Sequence, residues 1–140
     1  MAYSTTIDVD AVPERVSEII SDVERWPEWT ASITSVERLD DGPLAVGSQA
    51  KVKQPRLPTV VWTVTELTPD RGFVWVAKSP GVENRGIHRV EPAKGGGSRV
   101  TLGVEESGPL GKLAGLLLRR LTKRYVDMEA AGLKERAEAG

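Results

Sequence analysis

The stretch PLGKLAGLLLRRLTKRYVDMEAAGLKERAE, residues 109–138, carries the longest helical period in the chain. Leu110, Leu113, Ala114, Leu117, Leu118, Leu121, Tyr125, Met128, Ala131 and Gly132 fall on one broad arc. Lys112, Arg119, Lys123 and Lys134 fall on the opposite arc. Ser107-Gly108-Pro109 suits a helix start, because proline is tolerated in a first turn. The spacing predicts a helix from about Pro109 to Glu138, ~40 Å long at ~1.5 Å per residue. An amphipathic helix of that length needs a surface to lie on, and the preceding residues supply one.

Upstream, the period is that of strands. Tyr3, Thr5, Ile7 and Val9 alternate with Ser4, Thr6 and Asp8. Pro13 then opens a short helix in which Val12, Val16, Ile19, Ile20 and Val23 keep helical spacing. Trp26-Pro27-Glu28-Trp29 ends it and is expected to form a packed aromatic corner. Strands are expected over Ile33–Leu39, Ser48–Gln54, Val60–Leu67, Phe73–Lys78, Glu83–Glu91 and Ser98–Ser107, separated by Gly- and Pro-rich turns. The turns are too short for parallel crossovers, so the strands pair antiparallel. The expected fold is α+β: a curved antiparallel sheet of about six or seven strands wrapped around the long C-terminal helix. A short helical corner follows the first strand.

Composition narrows the function. At 140 residues the chain reads as one domain over 1–140. Its formal net charge of −1 carries no global basic field for nucleic acid or anionic membrane. No cysteine is present, which excludes disulfides, thiol nucleophiles and thiolate metal sites. His88 is the single histidine, so no His-cluster metal site exists, and no metal or organic cofactor is expected. The Gly95-Gly96-Gly97 loop lacks the Lys-Ser/Thr of a phosphate loop and leads into no helix. No leader pattern opens the chain, and Leu113–Leu118, the longest apolar run, is too short to cross a bilayer. The expectation is a soluble cytoplasmic protein, monomer or homodimer, with no nucleic-acid partner and no integral membrane association.

Particular words in this order resemble the SRPBCC superfamily, also called START-like or helix-grip, in its polyketide cyclase/dehydrase branch. They are Val9-Asp10-Ala11-Val12-Pro13-Glu14-Arg15-Val16, Ser21-Asp22-Val23-Glu24-Arg25-Trp26-Pro27-Glu28-Trp29, Val46-Gly47-Ser48 and Val64-Thr65-Glu66-Leu67. His88-Arg89-Val90-Glu91-Pro92 and Ser98-Arg99-Val100-Thr101-Leu102 complete them. The resemblance covers essentially the whole chain and implies the helix-grip fold. The superfamily includes lipid carriers, aromatase/cyclases and hydratases, so the resemblance implies a fold more than a reaction.

Strand alternation assigns the inner face. Val100, Leu102 and Val104 turned toward the helix bring Glu106 inward near the helix start. Val90 inward brings His88, Gly86 and Asn84 inward, and Phe73, Trp75 and Ala77 with them. Trp62 and Val64 follow less cleanly, since a bulge would flip the face. The candidate cavity is therefore walled by Trp62, Phe73, Trp75, Leu117, Leu121 and Tyr125. His88 and Glu106 are the candidate catalytic groups. His88 either polarises a substrate carbonyl or is a structural histidine hydrogen-bonded to its surroundings. Glu106 is either a base or substrate anchor, or a rim carboxylate in water. Arg124, on the apolar arc between Leu117, Leu121 and Met128, either meets a ligand carboxylate or enolate or snorkels with its head at the sheet edge or paired to an acid.

Three functions remain open. The first is a binding protein enclosing a small hydrophobic or aromatic molecule, lipid- or polyketide-like, between sheet and helix. The second is a cofactor-free enzyme of the cyclase/dehydrase kind working by acid–base chemistry in that cavity. The third is a protein-interaction module contacting its partner through the basic helix face. A cavity lined by aromatics favours the first two, and convergence of His88, Glu106 and Arg124 on one wall favours the second.

Overall fold

The computed structural model describes residues 2–139. Strand β1 (Ala2–Val9) leads into helix α1 (Pro13–Ser21) and a 3₁₀ turn over Val23–Glu28. Strands β2 (Ser35–Arg38), β3 (Gln49–Lys53), β4 (Val60–Thr68), β5 (Gly72–Ser79), β6 (Val82–Pro92) and β7 (Ser98–Ser107) follow, and helix α2 (Gly111–Glu138) closes the chain. The seven strands form one antiparallel sheet in the order β1-β7-β6-β5-β4-β3-β2. β2 to β7 is a meander of hairpins, which the short Gly/Pro turns dictate. β1 alone is out of sequence order. It pairs with β7 at the far edge, so α1 and the 3₁₀ turn must carry the chain across the whole sheet to β2. This is the helix-grip architecture expected from the sequence, with each strand within a few residues of its expected bounds.

The core shows where α2 is held. Val126, Ala130, Leu133 and Ala137, at successive one-turn steps, are buried with Val9, Val16, Val90 and Val100. Gly132 lets α2 pass close to the preceding chain: a Cβ there would stand 1.8 Å from the Trp29 carbonyl oxygen. Polar contacts pin the C-terminal end, with Arg15 Nε donating to the Ala137 carbonyl at 2.9 Å and Lys134 Nζ to the Asp8 carbonyl at 2.8 Å.

Two expectations are corrected here. The helix starts at Gly111 with Leu110 as its N-cap, not at Pro109, because Gly108 turns at positive φ and Leu110 N bonds back to the Gly81 carbonyl. Leu117, expected on the inner arc and in the cavity wall beside Leu121 and Tyr125, is 73% exposed. The reason is angular. Leu117 lies nine residues before Val126, about two and a half turns at ~3.6 residues per turn, so it points away from the buried seam. The arc drawn from the leucines was too broad, and Leu113 and Leu116 are exposed with Leu117.

β4 contains the irregularity that its uneven alternation suggested. The register with β5 shifts between Val64 and Glu66, a bulge that leaves Trp62 and Val64 on one side and returns Leu67 to the core.

Candidate functional site

The N-terminal half of α2 does not collapse onto the sheet. A cavity of about 260 Å³ lies between them. Its sheet wall comes from Trp62 of β4, Trp75 of β5, Gly86 and His88 of β6, and Leu102 of β7. Leu118, Leu121, Thr122, Tyr125 and Glu129 of α2 form the opposite wall. The expected inner face of β6 is observed: Asn84, Gly86 and His88 all reach the cavity, as do Leu102, Val104 and Glu106 of β7.

Tyr125 is fixed from the far side. Its hydroxyl donates to the Pro55 carbonyl, tying α2 to the loop between β3 and β4 and holding the ring at the cavity wall. Gly86 makes room on the sheet side: a Cβ there would sit 2.8 Å from the Trp75 indole. Trp75 then stacks on Trp62, ring centroids 5.5 Å apart and planes 28° from parallel.

Trp26 joins this wall, a role that the packed-corner reading did not give it. Its Nε1 donates to the Ile20 carbonyl at 2.9 Å, which anchors the 3₁₀ turn. Its ring centroid lies 5.2 Å from both Trp75 and His88, and it lines the cavity. The corner is therefore packed and lines the cavity at once. Phe73 goes the other way. It is 2% exposed, stacked on His88 at 4.4 Å, and belongs to the core behind the cavity rather than to its lining.

His88 is buried among these rings. Nδ1 lies 3.1 Å from the Phe73 carbonyl oxygen. A carbonyl only accepts, so Nδ1 carries the proton and Nε2 keeps its lone pair. Burial lowers the imidazole from its ordinary 6.5 to about 4, against the weaker opposing pull of the Phe73 bond. The ring is neutral at physiological pH. It can accept a proton or hydrogen bond, but it has no acidic proton to give beyond the one Phe73 holds.

Glu106 reaches the cavity from the end of β7, and burial raises its carboxyl above the usual range. It pairs across the sheet with Asn84, whereas His88 pairs with Leu102. Four residues of strand separate the two positions, ~13 Å at ~3.3 Å per residue. Arg124 is exposed and does not line the cavity, and neither does Leu117. His88, Glu106 and Arg124 thus do not converge on one wall.

The sequence reading missed Glu129. Its carboxyl lines the cavity, and burial pushes it up to about 8 despite a hydrogen bond with Ser32. Thr30, Ser32 and Gln54 form the polar surroundings: the Thr30 and Ser32 hydroxyls lie 2.7 Å apart, and Gln54 Nε2 donates to the Ser32 carbonyl at 3.3 Å. A signal was available. Glu129 is three residues after Val126 and four before Leu133, so it lies on the buried seam. Among the described residues, no group of three or more His, Asp or Glu side chains gathers in the manner of a metal site. No described helix is long and apolar enough to cross a membrane.

A family described as polyketide cyclase / dehydrase and lipid transport matches residues 2–138. The chain belongs to that family. Among solved structures, a START superfamily protein from Mycobacterium smegmatis aligns with a TM-score of 0.74 at 19% identity, covering 98% of this chain and 97% of its own. A protein from Thermus thermophilus aligns with a TM-score of 0.75 at 21% identity, again covering 98% and 97%. The di-domain ARO/CYC BexL of the BE-7585A biosynthetic pathway aligns with a TM-score of 0.74 at 20% identity, covering 96% of this chain and 45% of BexL. At such identities these likenesses establish the shared fold alone. No curated protein matches the sequence. Family and fold support hydrophobic-ligand binding or a cyclase-like role.

Proposed function

We propose that this polyketide cyclase/dehydrase-family chain binds a small, mostly apolar molecule between its sheet and α2. The observation that carries this reading is the cavity of about 260 Å³ walled by Trp26, Trp62, Trp75 and Tyr125. Ligand sites are concave, mostly apolar and lined by aromatics with a few placed polar groups. That volume lies just below the ~300–1,000 Å³ typical of such pockets, which suits a compact ligand of one or two fused rings.

Direct titration with N-phenyl-1-naphthylamine, uncharged at neutral pH, tests it. Probe emission should rise and Trp emission should fall in the native protein, and Leu121→Trp, which fills the cavity, should remove both changes. A wild-type protein that leaves this probe in water defeats the reading.

One observation favours cyclase- or dehydrase-like chemistry as a second reading: His88, a cavity-lining ring held neutral with Nε2 free to accept a proton. A positioned base contributes ~10²–10⁴-fold to a rate. Binding is preferred because the hydrogen bond described for that ring goes to the Phe73 carbonyl rather than to Glu106 or Glu129. His88→Asn should lower any turnover at least ~10-fold while leaving ligand affinity within a few-fold. Activity that survives the change removes His88 from the chemistry.

A further inference from the structure

The charges of α2 are segregated by face. Lys112, Arg119, Arg120, Lys123 and Arg124 are all exposed. The ionisable groups that α2 turns into the cavity are Glu129 and the phenol of Tyr125. From the sheet come Glu106 and His88, and His88 is neutral at physiological pH. The described lining holds two carboxyl groups and no lysine or arginine. Trp26, Trp62 and Trp75 line the same cavity, with the Trp75 ring centroid 5.2 Å from that of Trp26 and 5.5 Å from that of Trp62.

We infer that the ligand is a cation: an apolar, ring-bearing amine whose ammonium is received by Glu129 among these indoles. The inference rests on the binding reading above and gives it a ligand class.

Three physical arguments lead there. Indole faces attract cations within about 6 Å of the ring centroid, most strongly where water is excluded. A carboxyl facing an otherwise apolar cavity is the complementary anion, and an ammonium–carboxylate contact is a charge-assisted hydrogen bond. An acidic ligand, by contrast, would set its carboxylate against Glu129 with no lysine or arginine in the described lining to offset the pair. The expectation that Arg124 supplies such a partner fails because Arg124 faces solvent.

Burial keeps Glu129 largely protonated until a counter-charge arrives, since its carboxyl ionises only near pH 8 in the empty cavity. An entering ammonium lowers that value, and the displaced proton leaves to solvent. At neutral pH this ionisation reduces affinity by about tenfold, a factor that diminishes as pH rises toward 8. Ser32, hydrogen-bonded to the carboxyl, stabilises the ionised form.

The test compares three probes with one ring system: 1-naphthylmethylamine, 1-naphthylmethanol and 1-naphthoate, titrated calorimetrically with the full chain. The amine should bind ~10-fold or more tighter than the alcohol, the scale of one desolvated cation–π contact, and the naphthoate should bind weakest. Raising pH from about 6 to about 8, where the amine stays protonated, should widen its advantage. Glu129→Gln should abolish the pH dependence, reduce the preference to what the indoles alone supply, and leave alcohol affinity within a few-fold. Equal binding of amine and alcohol, tightest binding of naphthoate, or a preference and pH dependence that Glu129→Gln leaves unchanged overturns the inference. The wild-type comparison decides even if the variant fails to fold. If the alcohol binds and the amine gains nothing, only the cation assignment falls. If none of the three probes binds, and N-phenyl-1-naphthylamine does not either, the cavity-binding reading falls with it.

Discussion

Trp75 and Gly86 are directly paired across β5 and β6, and the absent side chain of Gly86 leaves the space that the Trp75 indole occupies. A Cβ at position 86 would meet the indole at 2.8 Å, closer than carbon atoms tolerate. In Gly86→Ala the ring has to tilt toward Trp62 and into the cavity. Overpacking of this kind costs ~1–3 kcal/mol. The expected outcome is an affinity for N-phenyl-1-naphthylamine reduced at least ~5-fold, together with a shifted Trp emission maximum. Unchanged affinity, read by fluorescence titration, removes Gly86 from the shaping of the site.

The two halves of α2 should respond differently to truncation. Leu133 is fully buried, and Leu133→Ala should cost ~2–5 kcal/mol in urea unfolding. Leu117 is 73% exposed, and Leu117→Ala should fall within ~0.5 kcal/mol of wild type. A cost above ~2 kcal/mol at Leu117 would mean that this face of the helix is covered in solution.

Why the sequence read well in one place and poorly in another follows from period. A strand repeats every two residues, so fixing Val90 inward leaves no freedom for His88, Gly86 and Asn84, and the cavity wall contributed by β6 was legible from that one anchor. A helix turns ~100° per residue, and a leucine-rich run such as Leu116-Leu117-Leu118 spans a little over half of its circumference. Hydrophobicity alone cannot say which of those three is inside; only Leu118 lines the cavity. The same excess of leucine hid Glu129, which lies on the seam defined by Val126, Ala130 and Leu133. Trp26 escaped because packing and lining are not alternatives for a ring with two faces. Arg124 looked inward only while the arc was drawn through Leu117.

Arg124 and Leu121 give a paired check on that corrected face. Leu121 lines the cavity and Arg124 does not. Arg124→Ala should leave N-phenyl-1-naphthylamine affinity within about twofold, whereas Leu121→Ala, which removes apolar wall worth ~1–3 kcal/mol of contact, should weaken it ~5-fold or more. Equal effects would mean that ligand reaches the outer face of α2.

Two enclosed groups should set opposite limits on stability as pH changes. His88 takes a proton near pH 6.5 in an unfolded chain and only near 4 in the fold, because burial disfavours its charge. Acid therefore favours unfolding: the stability that depends on neutral His88 is intact above about 6.5 and is lost as pH falls toward 4. At full extent this difference corresponds to about 3 kcal/mol. Glu129 works in the other direction. It ionises near 4.5 when unfolded and near 8 in the fold, so its neutral form favours the fold at low pH, and that advantage is lost as pH rises from about 4.5 through 8. Between about 4.5 and 6.5 the two trends oppose one another and wild-type stability should be comparatively flat. Urea unfolding at pH 4.5, 7 and 8.5 of wild type, His88→Gln and Glu129→Gln separates them. Wild type should lose about 2 kcal/mol relative to His88→Gln between pH 7 and pH 4.5. It should lose stability relative to Glu129→Gln between pH 4.5 and pH 8.5. Profiles that run parallel to wild type across either window would show that the group concerned titrates in the fold as it does in water, without the burial that shifts it.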